Sequence, residues 1–156
     1  MKGTSSVKTN QPVTVESLLL ANHAESANGL LYISGGGCNI HRRMVTPGGT
    51  APLSHLGLAL IIAIPWHQTN LTHNLIIEFR DEDANVIANI NSKLNMGRPP
   101  GLRPGTIQYA NVGLPMDIVF PHPGDYEIVA HIEGVEDSER RWTFQVQDIA
   151  QMAAMA

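Results

Sequence analysis

His55-Leu56-Gly57-Leu58-Ala59-Leu60-Ile61-Ile62-Ala63-Ile64, stopped by Pro65, is the stretch on which the fold turns. Successive side chains of an extended chain point to opposite faces. Leu56, Leu58, Leu60, Ile62 and Ile64 therefore share one face, and Gly57, Ala59, Ile61 and Ala63 share the other. The second face is apolar but small. A strand that is apolar on both sides is covered on both sides. The pattern leaves three covers open: a loop, the C-terminal tail or another subunit.

The same period of two recurs on either side of this stretch. Leu75, Ile77 and Phe79 point inward, with Asn74, Glu78 and Arg80 outward. Met116, Ile118 and Phe120 are in phase within 106–120. Tyr126, Ile128, Ala130 and Ile132 alternate with Glu127, Val129, His131 and Glu133, and Trp142, Phe144 and Val146 with Arg141, Thr143, Gln145 and Gln147; these two runs read as an antiparallel hairpin. Upstream, 13–22 is an apolar extended run, Asn28-Gly29 signals a tight turn, and 30–34 follows it. Gly35-Gly36-Gly37 breaks or bends the chain before 38–43 resumes it. Short runs bounded by Gly, Pro, Asn and Asp, without long helical periodicity, predict an all-β fold. The expected architecture is an antiparallel two-sheet β-sandwich of Ig-like, Greek-key character. In the turn 81–85, Asn85 is the residue suited to positive φ. Pro123-Gly124-Asp125-Tyr126 fits a tyrosine corner, and equally an ordinary core tyrosine.

At 156 residues, 43% hydrophobic and 15% charged, the chain suits one folded domain rather than a disordered one. The expected boundaries are a disordered leader at 1–11, a domain at 12–147 and a tail at 148–156, helical or frayed, in which Ile149, Met152 and Met155 recur at three-residue steps. A net charge of −4 and scattered arginines exclude a nucleic-acid footprint. Cys38 is the single cysteine, so no internal disulfide forms. No apolar run follows Lys2, and the run 56–64 is too short to span a bilayer. These readings predict a soluble, cytoplasmic protein with no membrane association.

Ser17-Leu18-Leu19-Leu20-Ala21-Asn22-His23-Ala24, then Asn28-Gly29-Leu30-Leu31-Tyr32-Ile33-Ser34-Gly35-Gly36-Gly37, resembles the opening of a family of uncharacterised bacterial proteins frequent in actinobacteria. The strand at 58–64, the acidic turn Asp81-Glu82-Asp83 and the closing Pro-Gly-x-Tyr are similar too, so the resemblance spans about 13–146. The chain departs from the pattern at Ala84-Asn85, where the acidic turn usually ends in Gly, and at Leu30, where the pattern has Lys. The resemblance implies a β-sandwich and carries no activity.

Among seven histidines, His55, His67 and His73, with Glu78, are the candidates for a metal, but their spacing matches no metal motif. Surface and loop histidines are the commoner reading. A catalytic Cys38 needs a base, and His41, three residues on, falls on the opposite face of a strand. The glycines at 35–37 match neither a nucleophile elbow nor a phosphate loop. The sequence thus predicts no enzyme, no cofactor and no bound metal. It predicts a structural or interaction subunit that self-associates or joins a protein partner. The alternative is a module binding a small molecule, sugar or peptide through loops 66–72 and 98–105. Candidate contact residues are Trp66, His67, Asn70, Arg98, Arg103, Met152 and Met155.

Overall fold

Alternation becomes two layers. The computed structural model describes residues 11–150. Its strands are β1 (Thr14–Ala27), β2 (Leu30–Gly36), β3 (Ile40–Val45), β4 (Leu53–Ile64), β5 (Thr72–Asp81), β6 (Val86–Asn95), β7 (Gln108–Val119), β8 (Gly124–Ile132) and β9 (Arg140–Ala150). A single 3-10 turn at Trp66–Gln68 is the one helical element among the described residues. One sheet has the order β2-β1-β4-β7 and the other β3-β9-β8-β5-β6.

The connections alternate between sheets as in an immunoglobulin-like sandwich. β1, β4 and β7 take the places of strands A, B and E. β5, β8 and β9 take those of C, F and G, with β6 beside β5. The expected sandwich is therefore present, with one departure from purely antiparallel pairing: β3 runs parallel to β9, Ile40 facing Gln145 and Val45 facing Ala150. The chain changes sheets at Gly35–Gly37, between β2 and β3. There 38–43 does not resume the strand before it but passes to the other sheet. Gly37 and Cys38 both donate their N–H to Leu20 O, which pins the crossing.

The core is the face that the alternation picks out. Leu56, Leu58, Leu60, Ile62, Ile64, Leu75, Ile77, Phe79, Ile128 and Ile132 are all at most 1% exposed. Asn28 and Gly29 both take positive φ, the tight hairpin turn that the sequence signals. In the turn after β5, the positive φ falls on Ala84 rather than on Asn85. Asp81 decides this: its carboxylate accepts the N–H of Asp83 and of Asn85 and the Asn85 side-chain amide, holding Asn85 in place. β9 continues to Ala150, so Asp148–Ala150 belong to the sheet rather than to a tail. The leader up to residue 10, and the tail from 151 with Met152 and Met155, lie outside the described residues.

Tyr126 resolves in favour of the corner. Its buried ring stands at the start of β8, and its hydroxyl donates to His122 O at 2.5 Å. Burial pushes the phenol pKa up, so the hydroxyl stays a donor. Tyr126→Phe keeps the packing and leaves that carbonyl short of a partner. We expect a stability loss of about 1 kcal/mol, read as a lower urea midpoint at unchanged m-value. An unchanged midpoint would mean that the corner bond contributes nothing.

Candidate functional site

β1 is too long for its partner. It pairs with β4 only as far as Ala21, which faces Gly57. Beyond that point it leaves the sheet plane, pairs with β2 and crosses the outer face of β4 and β7 as a two-stranded arm. The glycines record the crossing. A Cβ on Gly57 would overlap the His23–Ala24 backbone, and one on Gly113 would overlap Glu25. Ser26 fastens the arm, accepting from Gly113 N–H at 2.6 Å and donating to Asn111 O at 2.8 Å. Asn111 donates its side-chain amide to Gly29 O. The Gly57 end of the small face of β4 is therefore covered by the chain's own β1–β2 arm.

The arm brings three side chains into a row across β1, β4 and β7. With Ala21 opposite Gly57, His23 comes beside His55, and His55 faces Asp117 in the β4–β7 register. His23 Nδ1 lies 3.1 Å from His55 Nε2, and His55 Nδ1 lies 2.9 Å from Asp117 Oδ1. The two rings stack, with centroids 5.4 Å apart. On the far side of His23, Glu25 Oε2 is 3.8 Å from Nε2. The sequence singles out His55 but neither His23 nor Asp117. Only the strand register joins them, and one local signal exists: two histidines equally spaced from the small pair Ala21 and Gly57.

The other candidates disperse. His67 is exposed on the 3-10 turn, His73 bonds Gln68 O at 2.7 Å, and Glu78 is tied to Arg80. Among the described residues no group of three or more His, Cys, Asp or Glu side chains is placed to hold one metal ion together. Cys38 is half-buried with its thiol pointing to Ile40 O, and burial raises its pKa, so it is a poor nucleophile. His41 does meet a hydroxyl, Ser54 Oγ at 2.8 Å, but Ser54 is buried and out of reach of a substrate. Burial and the nearby Arg43 hold the His41 pKa down. Arg43 is buried as a clip: it donates to Asp148 and to Phe120 O, each at 2.6 Å.

Loops 66–72 and 98–105 do approach each other. The Arg98 guanidinium lies 3.8 Å above the Trp66 ring and donates to Thr69 Oγ1 and Trp66 O. One face of the indole is thus taken by the protein itself. Asn70 is exposed at positive φ, its N–H bonded to Met96 O. Arg103 is exposed, and its carbonyl closes a turn with Thr106. An open groove of about 810 Å³ lies between the Asp81–Ala84 turn and β8–β9. Both of its arginines are engaged, Arg80 with Glu78, and Arg141 with Glu127 and Glu139, while Glu82 and Asp125 also line it.

The free edges of the two sheets differ in character. β3 carries His41, Arg42 and Arg43, β6 carries Lys93, and β7 carries Pro115 and Asp117. β2, Leu30-Leu31-Tyr32-Ile33-Ser34-Gly35-Gly36, carries neither charge nor proline, and exposes Leu30, Tyr32 and Ile33.

Residues 16–147 match a family of unknown function (DUF6941), and the chain belongs to it. No curated protein matches the chain. Among solved structures, it is similar to the CARDB domain of the PF1109 protein from Pyrococcus furiosus, a structure in complex with di-metal ions. The identity is 12% and the TM-score 0.39, over 91% of this chain and 97% of that one. No helix among the described residues is long and apolar enough to cross a membrane.

Proposed function

We propose that this member of a family of unknown function is a non-catalytic interaction module that self-associates, joining β2 to β2 of a second copy. The carrying observation is the uncharged apolar edge of β2. An edge strand presents unpaired backbone N–H and C=O groups, and proteins blunt such edges with charge, proline or cover. The other three edges are blunted in this way and β2 is not. A second copy is the occupant that fits best. Two antiparallel β2 strands related by a twofold axis offer each other the same edge. No like charges meet, because neither strand carries any. The low charged share of the chain, 15%, accords with a surface that is partly covered.

Light scattering across a dilution series tests this. The wild-type chain is expected to show a dimer whose fraction rises with concentration. Tyr32→Lys places like charges near the twofold axis, which costs several kcal/mol, and shifts the midpoint of association upward by at least about tenfold. Tyr32 is 50% exposed, so the variant keeps its fold, checked by circular dichroism. A wild-type monomer at every concentration overturns the proposal. So does a Tyr32→Lys chain that associates as the wild type does.

A further inference from the structure

The row His23–His55–Asp117 sets two imidazole nitrogens 3.1 Å apart, with a carboxylate behind one of them. We propose that His23 Nδ1 and His55 Nε2 are the two protein ligands of a site for a divalent transition metal of the zinc, nickel or copper kind. Imidazole nitrogens bind such ions at about 2.0–2.1 Å, and tetrahedral angles then set two ligand nitrogens about 3.3 Å apart. The two ring nitrogens already stand at 3.1 Å, facing each other across two strands.

The carboxylates strengthen the assignment. A metal-bound histidine ordinarily donates its other ring N–H to a carboxylate or a carbonyl, which fixes its tautomer and raises its basicity. Asp117 holds that position on His55, 2.9 Å from Nδ1, leaving Nε2 as the lone-pair nitrogen. Glu25 stands on the corresponding side of His23, 3.8 Å from Nε2. In the metal-free protein the proton on His23 Nδ1 fills the gap to His55 Nε2. Metal entry moves that proton to His23 Nε2, where it faces Glu25, so the proton count is unchanged. The side chains are 42% exposed for His23 and 52% for His55, so water completes the remaining coordination positions. Imidazole donors on an open, water-completed site select this class of ion over magnesium or calcium, which take oxygen ligands.

The test is calorimetric titration of the full chain, freed of metal by chelator, with zinc and separately with nickel. Cobalt supplies a second readout, because its visible bands intensify on tetrahedral binding. One saturable site is expected. His23→Ala and His55→Ala each abolish it, whereas His67→Ala, an exposed histidine elsewhere, leaves it intact. Asp117→Asn keeps both ligands and weakens binding by about tenfold or more. The side chains altered at the site are 42–59% exposed, and circular dichroism and thermal midpoint serve to show that each variant is folded. Absence of saturable binding overturns the proposal. So does binding that survives His55→Ala, or that is equally lost in His67→Ala.

Discussion

Phe120→Ala is expected to lower the stability of the chain by about 3–5 kcal/mol, because its ring sits where the two sheets are joined. Phe120 follows β7, where the chain leaves one sheet for the other, and its ring is fully buried. It packs edge-on against Tyr126 and Phe144, with centroids at 4.9 and 5.7 Å, and tilted against Phe79 and His41 at 6.4 and 6.1 Å. Removing the ring takes one wall from each of those neighbours. Because they come from β3, β5, β8 and β9, no small movement of one strand closes the hole. The backbone of Phe120 meanwhile stays committed to Arg43, which holds the site open. Domains of this kind are stable by only about 5–15 kcal/mol, so the variant will be partly unfolded at modest urea concentrations. Phe120→Leu, which keeps much of the volume, should fall well short of that loss. Equilibrium urea unfolding of the two variants checks the ranking. A Phe120→Ala loss below about 1 kcal/mol would mean that the aromatic cluster is not what joins the sheets.

Gly57→Ala adds a single methyl and is expected to cost about 3 kcal/mol, the upper part of the usual overpacking range. The reason is the identity of the obstacle. The new Cβ meets the backbone of His23 and Ala24, not the tip of a flexible side chain. Either β4 shifts within a packed sheet or the arm lifts away. The arm is the weaker party, since beyond Ala21 it has left its pairing with β4 and is held down by Ser26 and Asn111. Hydrogen exchange should therefore quicken across 22–36 far more than across β5 and β8. Gly113→Ala, which meets Glu25 in the same way, should give the same pattern. A variant at either glycine with wild-type exchange over the arm would mean that the arm does not rest on the sheet.

These two positions show what can and cannot be read from residues in order. Phe120 was legible: it stands in phase with Met116 and Ile118, and its burial follows from period two. Gly57 was legible only as a small residue on a second apolar face. That something covered this face followed from the pattern, but the covering element did not.

The chain by itself determined which residues face inward in β4, β5, β8 and β9, where the turns at Asn28-Gly29 and 81–85 fall, and hence the sandwich. Those features are local, because alternation and turn chemistry act over a few residues at a time. Tertiary structure alone decided that β3 crosses to the second sheet beside β9, that the β1–β2 arm lies over Gly57 and Gly113, and that His23, His55 and Asp117 meet. Each of these depends on register between strands distant in sequence, 32 residues for the imidazole pair and 62 for His55 with Asp117. Register is set by the sum of packing over whole strands and by the path of the crossovers, and no short stretch of residues carries that sum.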